Sequence, residues 1–177
     1  MPMILAANAN AQGSHVGEWR HVTAWDKPAS NPANAIRLAR IAEGGKFDLL
    51  FLADGNGVRN LDKPDRFAAT SPSDRPGVFE PVTLLSALAM VTQQIGLVAT
   101  TTTTYDEPFS VARRFASLDQ ISQGGAGWNL VTTSNAGDAL NFSHEEHVPH
   151  EDRYERAGEF TEIIKALWDS WADDAFP

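Results

Sequence analysis

The sequence predicts an α/β protein of about four βα units, either the N-terminal part of a (β/α)8 TIM barrel or a small open parallel sheet, and three observations carry that expectation. Short apolar runs that read as buried strands alternate with amphipathic helical segments, and such alternation means crossover units and a parallel sheet. Two long polar stretches each follow a strand, the position from which barrels build their sites. The 177 residues fall short of the roughly 250 of a complete barrel.

Taken in order, Met3 to Ala7 is a candidate opening strand. Ala35, Leu38, Ala39 and Ala42 then recur at i, i+3, i+4 and i+7, with Asn31-Pro32 as a start signal and Gly44-Gly45 as a stop, which predicts a helix of about three turns. Phe47 to Asp54 is the clearest strand. It lacks period-2 alternation, so both of its faces are expected to be covered. Glu80-Pro81 opens a second helix with Leu84, Leu88 and Val91 on one face, and Ile95 to Thr100 follows as a strand. A third helix starts near Pro108 and carries Val111, Ala112, Phe115 and Leu118; Gly127 to Thr132 is the next strand. From Glu151 to about Trp171 the residues Tyr154, Ala157, Phe160, Ile164, Leu167, Trp168 and Trp171 form an apolar stripe, and Glu151 and Asp152 suit the first turn of that helix. Asp173 to Pro177 follow without a closing strand, so residues 1–177 read as a single domain. It is either an incomplete barrel or a small open sheet whose edges need cover.

Composition narrows the function classes. Fourteen Lys and Arg against 23 Asp and Glu give a net charge of −9, a poor match for nucleic acid or an anionic membrane surface. No apolar run approaches the ~20 residues of a spanning helix, and Met1 to Leu5 lacks the basic start of a signal peptide, so a cytoplasmic location is expected. The absence of cysteine excludes disulfides, Cys-zinc sites, iron–sulfur clusters and Cys nucleophiles.

Common nucleotide and hydrolase signatures are missing: there is no phosphate-binding glycine loop, no nucleophile elbow and no His-Glu-x-x-His. Polar residues at strand ends remain: Asp54, Thr100 to Thr104, and Asn129 with Thr132 and Thr133. At the C-terminal ends of barrel strands such residues line sites. The plainer alternative is that Asp54 caps a turn and the threonines suit a strand. Gly55 to Phe79 and Thr133 to His150 are the long stretches expected to wall the site. His144, His147 and His150 recur every three residues among carboxylates, a spacing compatible with metal. Pro149 breaks the helix that would bring them together, so no metal site is expected. His150 and Tyr154, four apart, are placed to face the mouth of the sheet and hydrogen-bond a planar heteroaromatic ligand or its ribityl chain, unless Tyr154 packs in the core. His15 and Trp19 lie after the first strand and either line a pocket or anchor the loop. Arg113 and Arg114 read as salt-bridge donors or a solvated helix face.

These segments together resemble one family, the nitrilotriacetate and dibenzothiophene-sulfone monooxygenase group of the bacterial-luciferase-like flavin-dependent enzymes. The matching motifs are Gly17-Glu18-Trp19-Arg20-His21, Gly45 to Gly55, Glu80-Pro81, Gly96 to Thr100, Ala112 to Asp119, Gly127 to Thr133, and Arg153-Tyr154-Glu155-Arg156-Ala157 with Glu159-Phe160. They occur in order over nearly the whole chain. The resemblance implies a TIM barrel that takes reduced FMN (FMNH2) from a separate NAD(P)H-dependent flavin reductase and uses molecular oxygen. It would insert one oxygen atom into a small sulfur- or nitrogen-containing compound. It implies flavin contacts at Asp54, Thr100, His150 and Tyr154, places Thr100 and Asn129 where oxygen meets the isoalloxazine, and places His15 near the substrate. At Gln123 to Gly127 this chain lacks an Arg frequent in the family, and the later strands with their FMN-phosphate loops are not in it. The alternatives are a non-catalytic flavin-binding or dimerising half-barrel module, and a metal-dependent hydrolase built on the three histidines. Open sheet edges predict a homo-oligomer.

Overall fold

The computed structural model describes residues 3–9, 15, 18–25, 30–57, 79–172 and 175. Of the expected site walls, most of Gly55 to Phe79 lies outside these residues, as do Gly13, Ser14, Gly17 and the terminal Asp173, Asp174, Phe176 and Pro177.

The elements alternate as the sequence predicts. They are β1 (Ala6–Asn8), α1 (Pro32–Gly44), β2 (Leu49–Leu52), α2 (Pro81–Ala89), β3 (Gly96–Thr102), α3 (Pro108–Ser122), β4 (Ala126–Val131), α4 (Asp138–Asn141) and α5 (His150–Trp168), with a 3-10 turn at Glu18–Arg20. The four strands form one parallel sheet in the order β1-β2-β3-β4, each paired with its successor. Every strand therefore ends on the same edge, and the register sets Thr100 opposite Asn129 and Thr102 opposite Val131 there.

Local chemistry sets the helix boundaries. Asn31 Oδ1 accepts the Ala33 amide at 3.0 Å, and Pro32 takes the first helical position, where a missing N–H costs nothing. Glu80 caps α2 with both carboxylate oxygens, accepting from Val82 at 3.0 Å and Thr83 at 2.7 Å. α1 ends at Gly44 as expected, yet the left-handed conformation after it belongs to Lys46, φ 61°, and to neither neighbouring glycine. Glu43 Oε1 accepts the amides of Gln93 and Gln94 at 2.8 Å and of Ile95 at 3.2 Å, tying the end of α1 to the turn that feeds β3.

One face of the sheet is packed beneath helices. Leu50, Leu97 and Ala99 meet Ala39 and Ala42 of α1, Leu85 and Leu88 of α2, Val111, Phe115 and Leu118 of α3, and Phe160 and Ile164 of α5. Trp128 joins this face, its ring centroid 6.0 Å from Phe115, 6.1 Å from Phe160 and 6.4 Å from Trp168. By pleat alternation Leu49, Phe51, Val98, Asn129 and Val131 point the other way, and all are only half-buried.

The structure refines four expectations. Among the described residues the two faces of β2 differ in cover, with Leu50 buried on one and Leu49 and Phe51 only half-buried on the other. On α2 the expected face of Leu84, Leu88 and Val91 packs on the core, with Leu88 buried and the other two partly buried; Pro81, Val82 and Leu85 are buried beside it, and Val91 lies beyond the helix end. On the last helix Ala157, Phe160 and Ile164 are buried, whereas Tyr154 and Trp171 are each 58 % exposed. Strand limits also shift, with β1 at Ala6–Asn8, β2 shortened to four residues and β3 extended to Thr102.

Leu85 is fully buried between the sheet and its neighbouring helices. Leu85→Ala is expected to lower unfolding free energy by about 2–5 kcal/mol, read by chemical denaturation, because the cavity cannot collapse against packed neighbours.

Candidate functional site

Where the strands end, a cavity of about 180 Å³ is lined by Asp54–Gly57, Thr100–Thr102, Val131–Asn135 and Asp138. Pockets for drug-sized ligands run to roughly 300–1,000 Å³, so this cavity does not by itself enclose such a ligand.

Its floor is the end of β3. Thr100 is buried; its hydroxyl donates to Leu52 O at 2.9 Å and accepts from Asn129 Nδ2 at 3.0 Å, so the expected pair is joined by a direct hydrogen bond. Thr102 Oγ1 accepts from the Thr133 hydroxyl at 2.7 Å and from the Thr104 amide at 3.0 Å. Among the described residues Thr101 Oγ1 and Thr104 Oγ1 are buried without a partner, and Thr104 lies outside the cavity lining.

Two further devices close the rim. Asp138, 2 % exposed, accepts the Asn56 amide at 3.2 Å and Asn135 Nδ2 at 2.6 Å. Arg153, buried in the first turn of α5, donates from Nη1 to Thr132 O and Thr133 O. Arg153 thereby carries its own turn of α5, with His150 and Tyr154, to the end of β4. Those two rings lie 4.7 Å apart and tilted by 36°. The exposure of Tyr154 removes the core-packing alternative and leaves its hydroxyl accessible.

The structure thus brings Asp54, Thr100 and Asn129 together at the strand ends and sets the His150–Tyr154 pair on the adjoining helix turn. Asn129 touches the cavity through Thr100 and is not itself part of its lining. His15 is exposed and outside the lining, its carbonyl accepting the Glu18 amide at 3.0 Å. His147 and His144 belong to a different contact. Tyr105 Oη lies 2.7 Å from His147 Nδ1, and the Tyr105 ring stacks on Phe142 at 5.1 Å and approaches His144 at 5.4 Å. Among the described residues no group of three His, Asp or Glu side chains is placed to hold a metal ion. Of the two arginines, Arg114 is a salt-bridge donor, 2.5 Å from Asp106 Oδ1 and 4.0 Å from Glu80 Oε1, while Arg113 is exposed.

Asp138, Asn135 and Arg153 escaped the sequence reading. A pair of side-chain acceptors three residues apart in Asn135-Ala136-Gly137-Asp138 was the available signal for a tight turn. Nothing in sequence marks Arg153 as buried, since arginine is usually exposed.

Burial pushes the Asp54 carboxyl above its ordinary value; the Gly55 amide opposes this, and the charges of Glu80, Asp138 and Asp106 add to it. Asp106 is likewise raised by burial, against the pull of Arg114.

The luciferase-like monooxygenase family model matches residues 3–174. The chain belongs to that family. It is 52 % identical over 164 residues to N-acetyl-S-(2-succino)cysteine monooxygenase of Bacillus subtilis, a match covering 93 % of this chain and 35 % of that one. Identity to nitrilotriacetate monooxygenase component A of Aminobacter aminovorans is 47 %, over 93 % of this chain and 37 % of that one, in line with the group the motifs resemble. A riboflavin lyase solved with modified FMN and riboflavin superposes with a TM-score of 0.82 at 34 % identity, covering 93 % of this chain and 37 % of that one. The chain spans about a third of the length of the curated relatives it matches. Among the described residues no helix is long and apolar enough to cross a membrane.

The raised Asp54 carboxyl has a sign that can be measured. The folded state favours its protonated form, so its ionisation near neutral pH opposes folding. Below the ordinary carboxyl value of 3.8 both folded and unfolded states are protonated and the cost vanishes. Asp54→Asn is therefore expected to be more stable than the parent at pH 7, with an advantage that shrinks as pH falls toward that range, followed by thermal denaturation across pH.

Proposed function

We propose that the protein supplies the isoalloxazine-facing wall of a two-component flavin-dependent monooxygenase. In this reading it takes FMNH2 from a cytoplasmic NAD(P)H:flavin reductase, consumes O2 and oxidises a small sulfur- or nitrogen-containing compound. The observation that carries the reading is a half-buried carboxyl and a hydrogen-bonded Thr–Asn pair at one strand edge, beside a helix turn that bears a His–Tyr pair outside the cavity lining and is tied to the end of β4 by a buried arginine. The names of the relatives as monooxygenases, and the modified FMN with which the superposed lyase was solved, agree with it.

The residues fit a reduced flavin. A mixed polar lining suits a heteroaromatic edge rich in donors and acceptors. When bound, reduced FMN supplies the two electrons with which one atom of O2 is reduced to water while the other enters the substrate. Tyr154 and His150 bind the flavin through the hydroxyl and ring nitrogens. Asp54 and Thr100 orient it from the sheet side. Asn129, one amide N–H of which is engaged by Thr100, would steer oxygen with the rest of its amide. His15 contacts substrate. A homo-oligomer covers the open sheet edges.

The test is oxygen-dependent product formation with NADH and a flavin reductase, scanned over thioethers and amines. Product that disappears when oxygen or reductase is withheld supports the enzyme. Saturable binding of reduced FMN with no product from any of them supports a non-catalytic flavin module. Tyr154→Phe is expected to weaken reduced-FMN binding by about one hydrogen bond, on the order of 1 kcal/mol. Asn129→Ala is expected to leave that affinity nearly unchanged while lowering product formed per NADH consumed.

A further inference from the structure

β2 and β4 are not neighbours, since β3 lies between them, yet the segments that leave them are fastened together across its end. The Asp138 carboxylate makes the crossing. Oδ2 accepts the Asn56 amide at 3.2 Å, and Oδ1 accepts Asn135 Nδ2 at 2.6 Å. The Asn135 amide also donates to Gly57 O at 3.2 Å, and Asn141 Nδ2 donates to Asn56 O at 2.6 Å. At Gly57 the approach is close enough to exclude any side chain. A Cβ there would stand 2.6 Å from Asp138 Oδ1, 2.7 Å from Asp138 N and 2.8 Å from the Gly137 carbonyl carbon.

A carboxylate 2 % exposed is expensive to desolvate, and among the described residues Asp138 forms no ion pair and is supported by N–H donors. Helix capping does not account for it, because α4 is four residues long and its residue before Asp138 makes no side-chain cap. What the buried charge does accomplish is to join the two strand exits directly above the Thr100–Thr102 floor.

We propose that Asp138 is a positioning residue of the site: it clamps the exit of β2 against α4 over the end of β3 and so fixes where Asp54 stands relative to Thr100 and Asn129. The name of the ligand that uses this arrangement rests on the flavin reading above; the clamp itself does not. Three carboxylates act on Asp54 in this arrangement. Asp138 comes from the β4 side, Glu80 from the start of α2 and Asp106 from the β3–α3 turn, and Arg114 of α3 pairs with the last two. Among the described residues Asp138 has no cation beside it, and the clamp holds its charge in the Asp54 environment.

The test compares parent, Asp138→Asn and Gly57→Ala in the ligand-free chain before any flavin is added. An Asn side chain at 138 must turn its NH2 toward one of two N–H donors, so one clamp bond is lost along with the charge. In Asp138→Asn the Asn56 amide is expected to exchange with solvent about tenfold faster. The Asp54 carboxyl, followed by carbon NMR, is expected to titrate at lower pH than in the parent. A merely structural residue would not move that titration. Gly57→Ala forces the two segments apart while keeping the Asp138 charge, and is expected to speed Asn56 exchange as well; it serves where Asp138→Asn fails to fold. Reduced FMN should then bind about tenfold more weakly to either variant than to the parent. Unchanged Asn56 exchange and Asp54 titration in folded variants overturn the proposal, as does parent-like FMN affinity in a variant whose clamp has opened. A parent that binds no reduced FMN, with both ligand-free changes present, overturns the flavin reading and leaves the clamp standing.

Discussion

Parallel pairing is the constraint on which the rest depends. A parallel strand can rejoin its neighbour only by a crossover, so helices are drawn over one face and all four strands end on one edge. The core then follows from the helices, and the site follows from the edge. Thr100 and Asn129 meet because their strands are adjacent and in register, although 29 residues separate them in sequence.

The edge pays for its polarity in backbone and side-chain contacts. Leaving strand ends in a half-covered cavity exposes carbonyls and amides that the ladder does not satisfy. Arg153 takes two of those carbonyls from the end of β4, Asp138 takes an amide from the β2 exit, and Thr100 takes the Leu52 carbonyl. The same contacts that satisfy the backbone therefore set the geometry of the candidate site. One carboxyl within it, Asp54, is kept short of compensating partners and is raised by burial, the kind of environment in which functional carboxyls are found.

Much of this was legible in sequence. Val111, Ala112, Phe115 and Leu118 marked the buried face of α3 directly, because their spacing and their burial answer to one helical period. The position of Asp54 just past β2 was also readable, since a polar residue marks the end of that apolar run, whereas Thr100 and Asn129 fall within β3 and β4. The start of α5 was less so. Tyr154 continues the apolar stripe in sequence, but in space the first turn of that helix overhangs the sheet edge, and its side chain meets solvent. Asp138 and Arg153 were hidden for a different reason: their roles arise from contacts 82 and 20 or more residues away, which no local pattern encodes.

The central claim is that a reduced flavin seats on this edge, against Asp54, the Thr100–Asn129 pair and the His150–Tyr154 turn. It is tested most directly by amide hydrogen exchange of the chain with and without reduced FMN under anaerobic conditions. The account predicts slowed exchange at Gly55–Gly57, at Thr132–Asn135 and in the first turn of α5, with the far ends of the helices unaffected. Protection confined to the outer helix surfaces, or none at saturating flavin, would contradict it.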